Sequence, residues 1–186
     1  KEYLNQPDSL ELFNRVAGID YNLASSNNFW TGKFFYHRSF QPGNPGKQHA
    51  EGASLGYKTK KVSIRMSQTS VGENYLAETG YVRRKGYNFL GPELSYTFVP
   101  NKKVVSHGPV AKFDNYFDQD YSLLDHEWEV GYQMELSDRS LLKGVIRDNY
   151  VLLSENFDPT HVSQVSLPKG SDYTFRYGLL TYTSDN

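Results

Sequence analysis

Leu124-Asp125-His126-Glu127-Trp128-Glu129-Val130-Gly131-Tyr132-Gln133-Met134-Glu135-Leu136 is the stretch on which the reading of this chain turns. Leu124, Trp128, Val130, Tyr132, Met134 and Leu136 alternate with Asp125, Glu127, Glu129, Gly131, Gln133 and Glu135. Only a β-strand places every second side chain on one face, so this segment predicts a strand with an apolar, aromatic face and an acidic face. At least five other segments repeat the pattern at similar length, and the links between them alternate short and long. That combination suits a β-barrel in an outer membrane, with lipid outside, a polar interior, tight turns at one rim and longer loops at the other.

Working outward, the pattern predicts nine strands. The first runs from Leu12 to Leu23, with Ala17, Ile19, Tyr21 and Leu23 on one face. The second, Phe29 to Phe40, carries Trp30, Phe34, Tyr36 and Phe40 on one side and Thr31, Lys33, His37 and Ser39 on the other; Phe35 and Arg38 break that pattern. Strands follow at Gly52 to Lys58, Val62 to Ser70, Tyr87 to Phe98, Val104 to Phe117, the opening segment, Leu142 to Leu153 and Tyr173 to Thr183. Their apolar positions include Ala53, Leu55 and Tyr57, then Val62, Ile64 and Met66, then Leu94, Tyr96 and Phe98. The last strand alternates Tyr173, Phe175, Tyr177 and Leu179 with Thr174, Arg176 and Gly178. The sixth is the weakest, because Gly108 and Pro109 interrupt it as a bulge or an edge would. Short links fall after strands one, three, five and seven, longer ones after two, four and eight, with the sixth ambiguous.

Composition bounds the rest. With 186 residues the chain suits one β-rich segment, 1–186. A net charge of -1 gives no global field for nucleic acid. There is no cysteine, hence no disulfide and no thiolate chemistry. Aromatics reach 15% although the apolar total is only 38%, a balance that suits strands and interfacial girdles. A mean hydropathy of -0.65 is compatible with a barrel, because only alternate residues of each strand meet lipid. No apolar run is long enough for a transmembrane helix. No signal peptide opens the chain at Lys1-Glu2-Tyr3-Leu4-Asn5, so a mature form or an internal fragment is expected.

Three phrases carry a family resemblance: Asn14-Arg15-Val16-Ala17-Gly18-Ile19-Asp20-Tyr21, Trp30-Thr31-Gly32-Lys33-Phe34-Phe35, and Val71-Gly72-Glu73-Asn74-Tyr75 followed by Glu78-Thr79-Gly80-Tyr81-Val82-Arg83-Arg84. On these the chain resembles the domain of unknown function 5916 family, outer-membrane proteins of Bacteroidota. Members of that family look like an amino-terminal module similar to family 9 carbohydrate-binding modules followed by a large barrel. The resemblance covers the first half of the chain well and implies location and architecture rather than chemistry. It implies that these residues are a slice of the barrel. The odd strand count and the ending Thr183-Ser184-Asp185-Asn186, without a terminal aromatic, lead to the same expectation.

The residues that bear on chemistry are few. Glu127 and Glu129, with Asp125 and Glu135, share one face at a repeat of roughly 6.5 to 7 Å, a separation that would suit paired carboxylates in glycoside hydrolysis. A water-facing wall is the simpler reading. Asp118, Asp120 and Asp125 offer oxygen ligands, but not at the spacing of a calcium loop. His37, His49, His107, His126 and His161 form no zinc pair, and His126 is expected on the apolar face at headgroup level. Gly43 to Lys47 lacks phosphate-loop order, and no serine-hydrolase elbow occurs. Arg83-Arg84-Lys85, flanked by Tyr81 and Tyr87, is the densest basic cluster and is read as a solvated loop.

The expectation is therefore an all-β, antiparallel up-and-down meander, part of a larger transmembrane barrel in a cell outer membrane, with a structural or transport-related role. Its partners would be the bilayer, the remaining barrel strands and glycan, with no cofactor and no metal. The alternatives are a secreted β-sandwich that binds carbohydrate through Trp30 and Trp128, and a glycoside hydrolase using Glu127 or Glu129.

Overall fold

The computed structural model describes residues 13–43, 46–77, 82, 84–100, 103–160 and 166–184. They form nine antiparallel strands in one sheet, ordered as they occur in the chain. These are β1 (Arg15–Ala24), β2 (Trp30–Phe40), β3 (His49–Lys58), β4 (Val62–Val71), β5 (Tyr87–Tyr96), β6 (Val104–Phe117), β7 (Leu123–Leu136), β8 (Leu141–Leu152) and β9 (Asp172–Thr183). The sheet is open: among the described residues β1 and β9 each keep one edge without a partner strand. No helix occurs among these residues.

Strand boundaries match the alternation within a few residues; the proposed first position, Leu12, lies outside the described residues. The links 25–29, 59–61, 97–103 and 137–140 leave one end of the sheet, and 41–48, 72–86, 118–122 and 153–171 leave the other. The sixth link is short but belongs to the long-loop end. Local chemistry closes the turns. Asn28 takes a left-handed φ of 56°, and the Ser25 and Asn27 side chains accept from the Trp30 and Phe29 amides. β6 is irregular at Val104/Ser106 and Tyr116/Phe117, whereas Gly108 and Pro109 pair in register with Gln133 and Tyr132. On the β5 side the expected interruption is found: the ladder stops at Ser95 and Val110 and is met again only at the isolated Phe98–His107 bridge, where Gly108 admits the Tyr96 carbonyl that a Cβ would meet.

Cross-strand register fixes which residues share a face, because opposed residues point the same way. Ile19, Tyr36, Phe34, Leu55, Ile64, Leu94, Phe113, Trp128, Val130, Tyr132, Ile146 and Leu180 fall on one face. Asp20, Lys33, His37, Arg65, Glu93, Lys112, Glu127, Glu129, Lys143 and Arg147 fall on the other. Burial runs opposite to that of a water-soluble sheet. Val130 is 53% exposed while its chain neighbour Glu129 is only 8% exposed.

The apolar face is a bounded belt. Toward the long-loop end it gives way to polar residues at Arg15, Arg38, Glu51, Gln68, Asn88, Asn115, His126, Asp148 and Arg176 on β1 to β9 in turn. These do not lie in one hydrogen-bonded row. The row through Asp148 passes Trp128, Phe113, Pro92, Met66 and Leu55 and reaches β2 at Gly32, well short of Arg38. Averaged over the sheet the margin slips by about one residue per strand, although it stays level between β8 and β9 and steps back between β5 and β4, and a rise of about 3.3 Å per inter-strand step of about 4.8 Å inclines the belt by about 35° to the rows on average. Arg38, a break in the alternation, marks the margin on β2.

Candidate functional site on the polar face

The polar face is built from charged residues opposed across strands. Arg65, Glu93, Lys112, Glu129 and Arg147 occupy one row with alternating sign, and Tyr177 on β9 ends it. Within it Glu129 has both oxygens engaged: Oε1 accepts from Lys143 Nζ at 2.6 Å and Oε2 from Arg147 Nε at 2.8 Å. Lys112 pairs with Asp114 at 2.6 Å. Opposite charges directly across an antiparallel pair stabilise the sheet, and here they also neutralise the wall.

The described residues of the link between β4 and β5 form a strap over this face, 72–77 against β2 and β3 and Arg84 against β7. Tyr75 is buried against Ala50 and Val71, with Phe35, Ala77, Val82 and Tyr87 packed around it. Burial raises the Tyr75 phenol above its ordinary pKa. Asn14 Nδ2 donates to the Leu76 carbonyl at 3.0 Å, and the Leu76 amide donates to Ser39 Oγ at 3.1 Å. Lys47 and Glu73 pair at 3.3 Å. Gly72 is required where the strap starts, since a Cβ there would stand 2.0 Å from the Lys47 carbonyl oxygen. At the far end Arg84 Nη1 donates to Asp125 Oδ2 at 2.5 Å, with the guanidinium over the Tyr87 and Tyr116 rings. Between strap and sheet lies an open cavity of about 650 Å³ lined by Phe35, Tyr75, Arg84, Tyr87 and Tyr116. Phe35, the other break in the alternation, is a wall of that cavity.

The sequence candidates fall in different places. Glu127 and Glu129 share the polar face, but Glu129 is held by two cations and Glu127 is half-exposed with Arg147 3.9 Å away. Asp118 serves its own turn, its Oδ1 accepting from the Asp120 and Ser122 amides, and Asp125 is taken by Arg84. Among the described residues no three His, Asp or Glu side chains are grouped to hold a metal. Trp30 and Trp128 lie on the apolar face, 44% and 41% exposed; Trp30 packs on Tyr57, and Trp128 donates from Nε1 to Asn115 at 2.9 Å. His126 stacks on Trp128 with centroids 4.2 Å apart, at the row where the belt ends, and its Nε2 meets Asp148 Oδ1 at 2.8 Å. Asp148 also binds Arg176. His37 meets Asp20, and His107 meets the Tyr132 hydroxyl. His161, Tyr81 and Arg83 lie outside the described residues. Arg84 lies in a loop, 37% exposed, with its guanidinium held by Asp125 and over the Tyr87 and Tyr116 rings, and Lys85 is exposed.

No family model, curated protein or solved structure matches the chain. The polar face therefore has to be judged on its own chemistry.

Two aromatic groups were named along the chain but not assembled on that face from the sequence. One is the cavity set Phe35, Tyr75, Tyr87 and Tyr116. The other is Tyr173, Phe175 and Tyr177 on β9, which register places beside Arg147 and Asn149 rather than beside Ile146. Alternation within one strand carries no information about phase relative to its neighbour, so only pairing with β8 reveals this. In the sequence alone Arg176 belongs to the polar set with Thr174 and Gly178, so nothing along the strand signals the change of phase.

Proposed function

We propose that the chain forms part of the wall of a transmembrane β-barrel in an outer membrane, with the belt against acyl chains and the polar face lining an aqueous passage narrowed by the strap. The observation that carries this reading is the inclination of the belt. A flat hydrocarbon layer cut across tilted strands leaves an apolar band that slips steadily from strand to strand, and about 35° lies at the low end of the tilt of such barrels. The inverted burial supports it, since charges satisfied on the inner wall and uncovered rings outside suit lipid on one side and water on the other. The phrases that resemble the domain of unknown function 5916 family point the same way. The neutralised wall suits passage of polar solutes, glycan included, without strong selection by charge.

A β-sandwich would need a second sheet over Trp128, Val130 and Tyr132; the nine described strands all belong to one sheet and those side chains are exposed. A hydrolase on this face would need two working carboxylates, and with both Glu129 oxygens engaged the candidate pair is reduced to Glu127.

The absence of native cysteine makes the test direct. Single substitutions Ser63→Cys and Ser95→Cys on the polar face, and Ile64→Cys and Leu94→Cys on the belt, are placed in the full-length protein in lipid vesicles. A water-soluble maleimide is expected to label the first pair and spare the second. Equal labelling of both faces, or a monodisperse soluble monomer without detergent, overturns the reading.

A further inference from the structure

We infer that the polar face of β2–β4 holds an oxyanion site centred over Gly56, which takes a phosphate or carboxylate group of a solute in the passage. The inference rests on the barrel reading for water reaching this face, and it adds a local exception to the otherwise neutralised wall.

Charge is divided unevenly over the polar face. On β6–β8 the face carries Asp114, Asp125, Glu127, Glu129 and Glu135 beside Lys112, Lys143 and Arg147, and each of those cations is engaged by a carboxylate. On β2–β4 register places Lys33, Lys58 and Arg65 on the same face and no Asp or Glu. All three are exposed, and among the described residues none of them forms an ion pair. Two acidic residues flank the patch. Glu93 on β5 is opposed to Arg65 and to Lys112 without forming an ion pair to Arg65, and Asp20 on β1 meets His37 at 2.9 Å. Because β2, β3 and β4 are each paired on both sides, the exposure of these cations is not that of a sheet edge.

The space comes from Gly56, whose direct partners are Thr31 on one side and Arg65 on the other. The position a Cβ would take there lies 3.4 Å from Thr31 Oγ1, 3.7 Å from the Arg65 guanidinium carbon and 3.8 Å from its Nη2. A hydroxyl donor and a guanidinium thus converge on a point that a side chain would otherwise fill, within reach of a single oxyanion oxygen. Arg65 is steadied from the floor of the site, where its Nη1 donates to Ser54 Oγ at 3.5 Å. Lys58 is the next same-face residue along β3, and Lys33 is the diagonal neighbour on β2, each about 7 Å from Gly56 along the backbone lattice and within the length of a lysine side chain.

The set selects its occupant by charge and by hydrogen-bonding type. Guanidinium and ammonium groups only donate, and an ionised phosphate or carboxylate only accepts, so the two are complementary and the bonds between them are charge-assisted. A neutral solute leaves the three cations uncompensated, and a cation is repelled by them. A space the size of one side chain admits one oxyanion group.

The test titrates the full-length protein in detergent with inorganic phosphate and with citrate by calorimetry, and follows insertion of the same protein into vesicles. Binding of at least one of the two anions is expected. Arg65→Gln is expected to weaken it about tenfold, and Gly56→Ala, which fills the space while leaving every charge in place, by a similar factor. The added methyl makes only ordinary contacts, so that variant retains the fold. Lys143→Gln, on the far part of the wall, is expected to leave binding unchanged. Protein that inserts but binds neither anion, or whose binding survives both Arg65→Gln and Gly56→Ala at full strength, overturns the site and leaves the barrel standing. Weakening by Lys143→Gln equal to that by Arg65→Gln means that a diffuse field holds the anion, which also overturns the site. Binding that depends on Arg65 and Gly56 in a protein that fails to insert upholds the site and removes the barrel.

Discussion

β7 and β9 alternate equally cleanly, yet they put their rings on opposite sides of the sheet. On β7, Trp128 and Tyr132 stand on the belt and Glu127 and Glu129 on the polar wall; on β9, Tyr173, Phe175 and Tyr177 stand on the polar wall with Arg176 opposite, bound to Asp148 beyond the belt margin. The two strands are joined through β8, whose pairing with each is unbroken, so the difference is one of phase and not of a bulge. An aromatic row therefore does not identify the lipid side by itself. The proposed barrel takes its lipid side from the slope of the polar margin across all nine strands, which a single strand cannot display.

The largest effect that separates the two strands is a buried charge in lipid. Val130→Arg places a cation inside the belt and is expected to destabilise the folded protein in vesicles by about 2–4 kcal/mol, whereas Phe175→Arg on the wetted wall changes stability by less than about 1 kcal/mol. Urea titration of vesicle-embedded protein measures both. Equal losses at the two sites would erase the distinction between the faces.

A smaller effect sharpens the same contrast from the polar side of β7. Glu129→Ala leaves Lys143 and Arg147 without their shared carboxylate. For fully buried pairs such a loss reaches about 3–5 kcal/mol, but these two cations remain about a third exposed, at 34% and 28%, so about 1–2 kcal/mol is expected. Removing Arg147 as well should cost less than the sum of the single losses, because the partners act together. Additive losses in that cycle would mean that the row is merely adjacent charge.

Much of this architecture was legible along the chain. Alternation gave the nine strands because a period of two has only one structural solution, and the breaker-rich stretches separated them correctly. Face assignment was right for β1 to β5 and β7, where apolar residues coincide with the belt. What was hidden depends on pairing. The margin drawn by Arg38, Glu51, Gln68 and Asp148 has meaning only across strands, and the inward course of Tyr75 and Arg84 is set by hydrogen bonds to residues distant in sequence, such as Asn14 and Asp125. Phe35 and Arg38 looked like noise in the alternation, yet each answers to something a single strand does not contain: the strap in one case, the edge of the belt in the other.

The smallest expected effect lies where β7 turns into β8, the connection that carries the phase of one strand toward the other. Asp138 Oδ1 accepts from the Ser140 hydroxyl at 2.6 Å and from the Ser140 amide at 3.0 Å, and these donors hold its carboxyl below the ordinary carboxylate range. A group whose pKa is depressed on folding contributes stability that is fully present above its unfolded value and fades as pH falls through the folded one. The hairpin's amide protection should therefore be constant from neutral pH down to about 4 and decline below it, and Asp138→Asn should remove that acid dependence while keeping an acceptor for the Ser140 amide. Hydrogen exchange at the Leu136 and Arg139 amides, which close this turn onto Ser140 and Leu136, reads the change. Acid dependence that persists unchanged after the Asp138→Asn substitution would place its origin elsewhere, in the carboxylates of the polar wall.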